Sequence, residues 1–307
     1  MENFLTVAAQ TAVLFALMGV GAVCRRTKLV GDEAARGMVN VLLLIVTPAL
    51  IIDVFQRPYD PGMIRALATA LAVVLALHFA MIAASLAVIR HRSESTRVVL
   101  QVAAVFSNAG FMGIPLEQAI LGERGVFFGV MYVVVFNLLM WSWGLMVMGA
   151  RADWRMMLVN PGTVGLAAGL PLFFFSLELP EVLSVPVGML ADLNTPLAMI
   201  VTGYYLAGAR LGRVLTEPAA YVSGAFRLIV CPLAVIAALL PFSGSLDRDM
   251  MLAVVIPASA PSAAMVTMFA AKFGRDVDMA VGSVSVTTLL SMLTMPSLIA
   301  FAMALMR

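Results

Sequence analysis

The chain has 307 residues, 62% of them hydrophobic and 12% charged, with a mean hydropathy of +1.02. A soluble domain is nearer half apolar and a quarter charged, so this composition excludes an ordinary water-facing surface and makes lipid the solvent. A net charge of +2 is too small to suggest a nucleic-acid partner, and two cysteines, Cys24 and Cys231, exclude a framework or metal cluster built on several thiols.

Met1-Glu2-Asn3 puts no basic stretch ahead of the first apolar segment, which is therefore expected to remain as a span. A bilayer core demands about 20 apolar residues per helix. Ten stretches qualify, at roughly 4–23, 37–55, 66–89, 98–121, 126–150, 161–177, 188–209, 219–242, 250–271 and 279–306. The expected fold is an all-α membrane protein of ten transmembrane helices with short loops, multi-pass in an inner membrane.

Lys and Arg in short loops set the orientation, because cytoplasmic loops retain them. The odd-numbered loops hold Arg25, Arg26, Lys28, Arg36, Arg90, Arg92, Arg97, Arg151, Arg155, Arg210, Arg213, Lys272 and Arg275, which is 13 of the 19. The even-numbered loops hold Arg57, Arg65, Arg124 and Arg248. This bias predicts odd loops in the cytoplasm and both termini outside it.

Five spans per half invert the second half relative to the first, the arrangement of inverted-repeat transporters, with residues 1–150 and 151–307 as the two units. Thr47-Pro48 in span 2 and Thr195-Pro196 in span 7 lie 148 residues apart. At a similar offset, span 4 carries Ser107-Asn108-Ala109-Gly110-Phe111-Met112-Gly113-Ile114-Pro115 and span 9 carries Ile256-Pro257-Ala258-Ser259-Ala260-Pro261-Ser262. Such residues are also ordinary in membrane helices; their matched placement favours a transporter.

A proline inside a helix removes a donor and displaces a carbonyl. In hydrocarbon each stranded backbone group costs several kcal/mol unless something satisfies it. Two facing breaks therefore concentrate free backbone dipoles, and half-helix N-termini can bind an anion. The candidate substrate-binding residues are Ser107 and Asn108 in span 4 with Pro257, Ser259, Pro261 and Ser262 in span 9. Each serine could equally bond its own helix.

At these residues the chain resembles the auxin efflux carrier family, which includes plant PIN-FORMED proteins and bacterial malate and malonate carriers. Asn108 to Leu116, ending Met112-Gly113-Ile114-Pro115-Leu116, is similar to that family's fourth-helix motif, and Ile256-Pro257 through Ala271-Lys272 to its ninth. Pro48-Ala49-Leu50 and Asn194-Thr195-Pro196-Leu197 resemble its second and seventh helices. The resemblance implies broken, crossing helices 4 and 9, as in sodium–proton antiporters and bile-acid symporters. It also implies a scaffold of spans 1, 2, 6 and 7, a transport domain of spans 3–5 and 8–10, elevator movement and a homodimer. Plant members have a proline before the fourth-helix Asn where this chain has Ser107, so the break is expected to rely on Gly110 and Gly113. Their long cytoplasmic loop is replaced by Arg151 to Asn160.

Intramembrane ionisable groups are functional candidates by default. Glu117, two residues after Pro115, could carry a proton, pair with Lys272, or lie toward the aqueous end of its helix. Asp192 near the start of span 7 is a further coupling candidate, with solvated helix capping as its alternative. His78 in span 3 could relay protons or be a neutral, hydrogen-bonded core histidine. Asn137 falls where the family often has an amide near the substrate, opposite Thr287 and Thr288 in the repeat. Thr47 and Asn194 would face the transport domain from the scaffold. Arg227, early in span 8, is expected to snorkel to the cytoplasmic surface. The 23 methionines read as flexible packing, and Trp141, Trp143 and Trp154 as interfacial anchors.

The chain has two histidines and no Gly-x-Ser-x-Gly elbow, so no hydrolase constellation is present. It lacks a phosphate-binding Gly-x-x-x-x-Gly-Lys loop, and a channel would want a charged ring or carbonyl filter. The expectation is a secondary transporter of a small organic anion such as malonate, malate or an auxin-like acid, with no cofactor or bound metal and with lipids around it. Proton symport, sodium symport and uniport stay open, as does a different small solute.

Overall fold

The computed structural model describes residues 2–150, 159–209 and 211–306. Arg151, Trp154, Arg155 and Arg210 of the sequence reading lie outside the described residues. Among the described residues the regular structure is helical, without a strand; one isolated antiparallel bridge joins Ser107 to Ser262.

Among the described residues seven helices are long and apolar enough to cross a membrane. They are α1 (Glu2–Arg26), α2 (Asp32–Val54), α3 (Pro61–Val88), α5 (Ala109–Met148), α7 (Glu181–Ala207), α8 (Pro218–Phe242) and α11 (Val277–Leu305). Shorter helices among the described residues include α4 (Glu94–Val105), α6 (Pro161–Phe174), α9 (Arg248–Ala258) and α10 (Met265–Lys272). Seven spans rather than ten reach full length for definite reasons. The predicted span 4 is divided between α4 and the start of α5, the predicted span 9 between α9 and α10, and α6 has 14 residues. The 40 residues of α5 turn over at Gly122, whose φ of 67° is one that side-chain-bearing residues rarely adopt. The helical segments on its two sides cover the second half of predicted span 4 and predicted span 5.

Helix starts follow local chemistry. Asp60 accepts the Gly62 N–H at 2.7 Å ahead of Pro61, and Asp247 accepts the Met250 N–H at 3.0 Å. Asn160 and Thr163 form a reciprocal capping box that fixes the start of α6. Three prolines explain three widened turns within the spans. Leu42–Val46, Ala109–Gly113 and Phe226–Val230 each adopt π geometry, and each is followed at the second position by Pro48, Pro115 or Pro232. A proline cannot donate to the fourth carbonyl back and clashes with it, so the ladder shifts by one residue. The donors at Thr47, Ile114 and Cys231 reach back to Leu42, Ala109 and Phe226.

Glycines permit the closest helix approaches. A Cβ at Gly203 of α7 would overlap the Met18 carbonyl of α1, and one at Gly21 would overlap the Ile200 carbonyl. Gly165 and Gly169 of α6 seat against Pro48, Ile51 and Phe55 of α2. Gly113 lies against Pro257, holding α5 on α9.

Trp141 packs edge-on against Phe269 at 5.6 Å and Trp143 lies against Phe106 at 5.9 Å. Both are partly exposed as well as packed against these rings. Asp192 does not cap a helix start: it ends the first segment of α7, and the chain kinks at Leu193 before Asn194 resumes the helix.

Candidate functional site

The two broken spans meet peptide to peptide. α4 ends at Val105, the backbone is extended at Phe106, and α5 begins at Ala109. α9 ends at Ala258, and α10 begins at Met265. The Asn108 N–H donates to the Pro261 carbonyl at 2.7 Å, and the Ala263 N–H donates to the Phe106 carbonyl at 2.9 Å. These bonds flank the Ser107–Ser262 bridge. The break therefore lies at 106–108, ahead of Gly110 and Gly113, which corrects the expectation that those glycines make it. Likewise Pro257 stays inside the last turn of α9, and the interruption runs from Ser259 to Ala264.

Two helix C-termini and two helix N-termini converge here, and the protein treats them differently. At the end of α4, Ser223 Oγ donates to the Leu100 carbonyl at 2.8 Å and Ser262 Oγ to the Ala103 carbonyl at 2.7 Å. Arg227 donates to the Ala104 carbonyl at 3.4 Å, the Val105 carbonyl at 2.6 Å and the Ala258 carbonyl at the end of α9. One guanidinium thus closes both C-termini, whose last carbonyls have no intrahelical donor. Arg227 is fully buried, so it does not snorkel. Cys231 Sγ adds a long contact to Ala104 at 3.8 Å.

The N-termini of α5 and α10 open on a small hollow of about 30 Å³. Its walls include Thr47 of α2, Asn108, Gly110 and Phe111, Asn137 of the second part of α5, and Ala263 to Met265. Asn108 is 4% exposed, and its Nδ2 donates to nothing. Asn137 Nδ2 spends one of its two N–H donors on the Val133 carbonyl at 2.9 Å, and Thr47 Oγ1 bonds the Leu42 carbonyl at 2.9 Å, whereas neither N–H of the Asn108 amide has a partner. The helix starts contribute first-turn N–H groups and positive dipole ends on the same side.

A larger cavity of about 660 Å³ lies beyond this hollow, between α2, α7 and the start of α5. Asp53, Arg57, Gln118, Glu123, Asp192 and Asn194 line it. Asn194 Nδ2 donates to the Gly110 carbonyl at 3.0 Å, and since Asn194 borders the vestibule and Gly110 the hollow, this bond stands between the two. Arg57 lies over the Phe127 ring at 4.5 Å. Burial lowers its pKa from the usual guanidinium value, against the opposing pull of Glu123 and Asp53.

The profile of the family described as "Membrane transport protein" matches residues 6–155 and again residues 150–299. The chain belongs to this family. It is the auxin efflux carrier family whose motifs the sequence carries at Asn108 to Leu116 and Ile256 to Lys272. Over 206 residues the chain is 31% identical to an "Uncharacterized transporter" of Methanothermobacter thermautotrophicus, a match covering 64% of this chain and 65% of that protein's length. The chain is thus a multi-span member of the membrane transport protein family, and no catalytic family is indicated.

In this family member the predicted candidates separate into groups. Asn108, Asn137 and Thr47 line one hollow, with Asn194 at its edge. Ser107 and Ser262 form the bridge; Ser107 Oγ lies 3.4 Å from the Tyr132 hydroxyl, and the Ser262 N–H donates to Thr287 Oγ1 at 3.2 Å. Ser259 bonds its own helix at Val255, 2.8 Å away. His78 is buried in the core, with Nδ1 on the Val74 carbonyl at 2.9 Å and its ring 4.9 Å from Tyr132. Glu117 is fully buried with neither oxygen partnered, beside Gly129. It neither pairs with Lys272, which lies by the Phe273 ring, nor reaches an aqueous end. Asp192 is in the vestibule, away from the hollow.

Arg227 is the residue that sequence reasoning misplaced. It lies nine residues past Pro218, about 14 Å along a helix, which is deep for snorkelling and was the available signal.

Proposed function

We propose that this protein is an elevator-type secondary transporter that carries a small mono- or dicarboxylate, such as malonate, malate or an auxin-like acid, across the inner membrane. Ten spans arranged as five plus five, with both termini outside the cytoplasm, form its frame. Spans 1, 2, 6 and 7 are the scaffold, and spans 3–5 and 8–10 carry the site. The repeated family match at 6–155 and 150–299 supports the repeat.

The observation that carries the reading is the hollow at the crossing. Two helix N-termini and the unpartnered Asn108 amide point donors into one place that borders both broken spans and α2. A carboxylate supplies the acceptors these donors lack. At about 30 Å³ the hollow holds no more than a water-sized group, so a carboxylate binds when α2 and α7 draw away from the crossing. Exposed apolar side chains on α2 and α7, including Leu44, Ile45, Val182 and Met189, offer a scaffold face for a homodimer. Coupling to protons through Glu117, His78 or Asp192, or to sodium, is part of what the assay resolves.

Uptake of labelled malonate, malate and indole-3-acetate into proteoliposomes, with and without pH and sodium gradients, tests the proposal. At least one acid is expected to accumulate, and Asn108→Ala to abolish its uptake. Failure of all three to move, and of all three to stabilise the purified protein, would overturn the organic-anion reading.

A further inference from the structure

We infer that Arg227 sets the charge preference of the site from behind it, without touching the substrate. The inference rests on the anion-carrier reading and names the residue that gives the crossing its sign. Each helix end carries roughly half an elementary charge, positive at the N-terminus and negative at the C-terminus. At a symmetric crossing of two breaks, two positive and two negative ends meet within a few ångströms, and their fields largely cancel. Such a junction has no reason to prefer an anion over an uncharged isostere.

Arg227 removes that symmetry. Its guanidinium donates to Ala104 and Val105 at the end of α4 and to Ala258 at the end of α9, so one full positive charge faces both negative ends. The side chain is fully buried, so water does not screen the pairing. No carboxylate is paired with it among the described residues: Asp247 and Asp249 face Arg124, Asp276 faces Arg213, and Glu94 faces Arg275. The neighbours it does have are Tyr132, Cys231 and the His78 ring behind Tyr132, none of them an acidic counter-charge.

What remains uncompensated is the pair of N-termini at Ala109 and Met265, on the side where Asn108 holds its free donor. The π segment Phe226–Val230, forced by Pro232, is the local feature that carries Arg227 at this depth. Arg227 is therefore a positioning and charge-setting residue. It joins the two breaks mechanically and leaves the substrate side net positive.

The test compares charge discrimination in wild type, Arg227→Gln and Arg227→Lys. Uptake and binding of indole-3-acetate and malonate are measured beside their uncharged isosteres, indole-3-acetamide and malonamide, on proteoliposomes with matched insertion. Wild type is expected to favour the carboxylate of a pair at least tenfold. Arg227→Gln, which keeps a donor but loses the charge, is expected to bring that ratio to within about threefold of one. Arg227→Lys is expected to retain discrimination at reduced affinity, because one ammonium keeps the charge and cannot span both helix ends. An Arg227→Gln protein that discriminates like wild type overturns the inference while leaving anion transport standing. Should Arg227→Gln not insert, loss of discrimination in Arg227→Lys overturns it instead. A wild type that carries neither acid removes the anion reading and this inference with it.

Discussion

Asn194 of α7 donates its side-chain amide to the Gly110 carbonyl at 3.0 Å, joining the kinked helix of one half of the chain to the first turn after the break in the other. The bond sits between the vestibule and the hollow at the crossing, so its loss should favour separation of α7 from α5. Asn194→Ala is expected to raise the labelling rate of a cysteine at Gly110 several-fold with a hydrophilic thiol reagent. An unchanged rate would show that this contact does not hold the hollow closed.

Asn108→Ala should separate binding from folding. The Nδ2 atom has no partner to lose, so the melting temperature should stay within about 2 °C of wild type, in keeping with substitutions that break no existing bond. Carboxylate uptake should fall more than tenfold. Asn108→Asp should be worse still, since it sets a negative charge against the incoming anion. Equal uptake by the Asp variant and wild type would remove Asn108 from the site.

The vestibule holds Asp53, Glu123 and Asp192 against Arg57. That excess of negative charge opposes an arriving anion, most strongly at low ionic strength. Asp192→Asn is expected to lower the apparent KM for a dicarboxylate presented from that side, with the gain shrinking as salt rises. A KM that is insensitive to both substitution and salt would mean that substrate does not travel through this mouth.

Glu117 and Gly129 form a tight pair, since a Cβ at Gly129 would overlap the buried carboxyl. Gly129→Ala should destabilise by roughly 1–3 kcal/mol, the usual cost of overpacking. Glu117→Ala should recover part of that loss in the double variant, because contacting residues do not add. Strict additivity in thermal unfolding would show that the two do not touch.

A disulfide tests whether the two breaks travel together. Residues across an antiparallel bridge have Cα atoms about 4.5–5.5 Å apart, within reach of a disulfide. Ser107→Cys with Ser262→Cys is expected to cross-link, with the linked protein still transporting. Transport restored only by reductant would show that the breaks must part during the cycle.

The sequence made the interrupted spans legible because helix breakers in lipid have few innocent explanations. Ser107 to Pro115 and Ile256 to Ser262 do meet. The position of the first break was not legible. Gly110 and Gly113 look like the weak points, yet the chain opens at Phe106 to Asn108, because the backbone there finds partners at Pro261 and Ala263 from another span. Those partners are about 150 residues away and leave no local mark. Arg227 was misread for a related reason. A lone arginine in an apolar helix looks the same whether it reaches for water or for carbonyls, and only the tertiary fold brings Ala104, Val105 and Ala258 to it. Glu117 is the reverse case: its burial could not be read from spacing, and neither carboxyl oxygen finds a hydrogen-bond partner among the described residues.

Because the peptide groups of Phe106, Asn108, Pro261 and Ala263 are spent on one another, neither strand of the junction can swivel alone without abandoning a bond in a medium that offers no replacement. The junction is thereby obliged to behave as a single stiff unit. Under the elevator reading proposed above, access alternates through the sliding of whole helices across seams such as the one where Gly162 of α6 lies against Asn137 of α5.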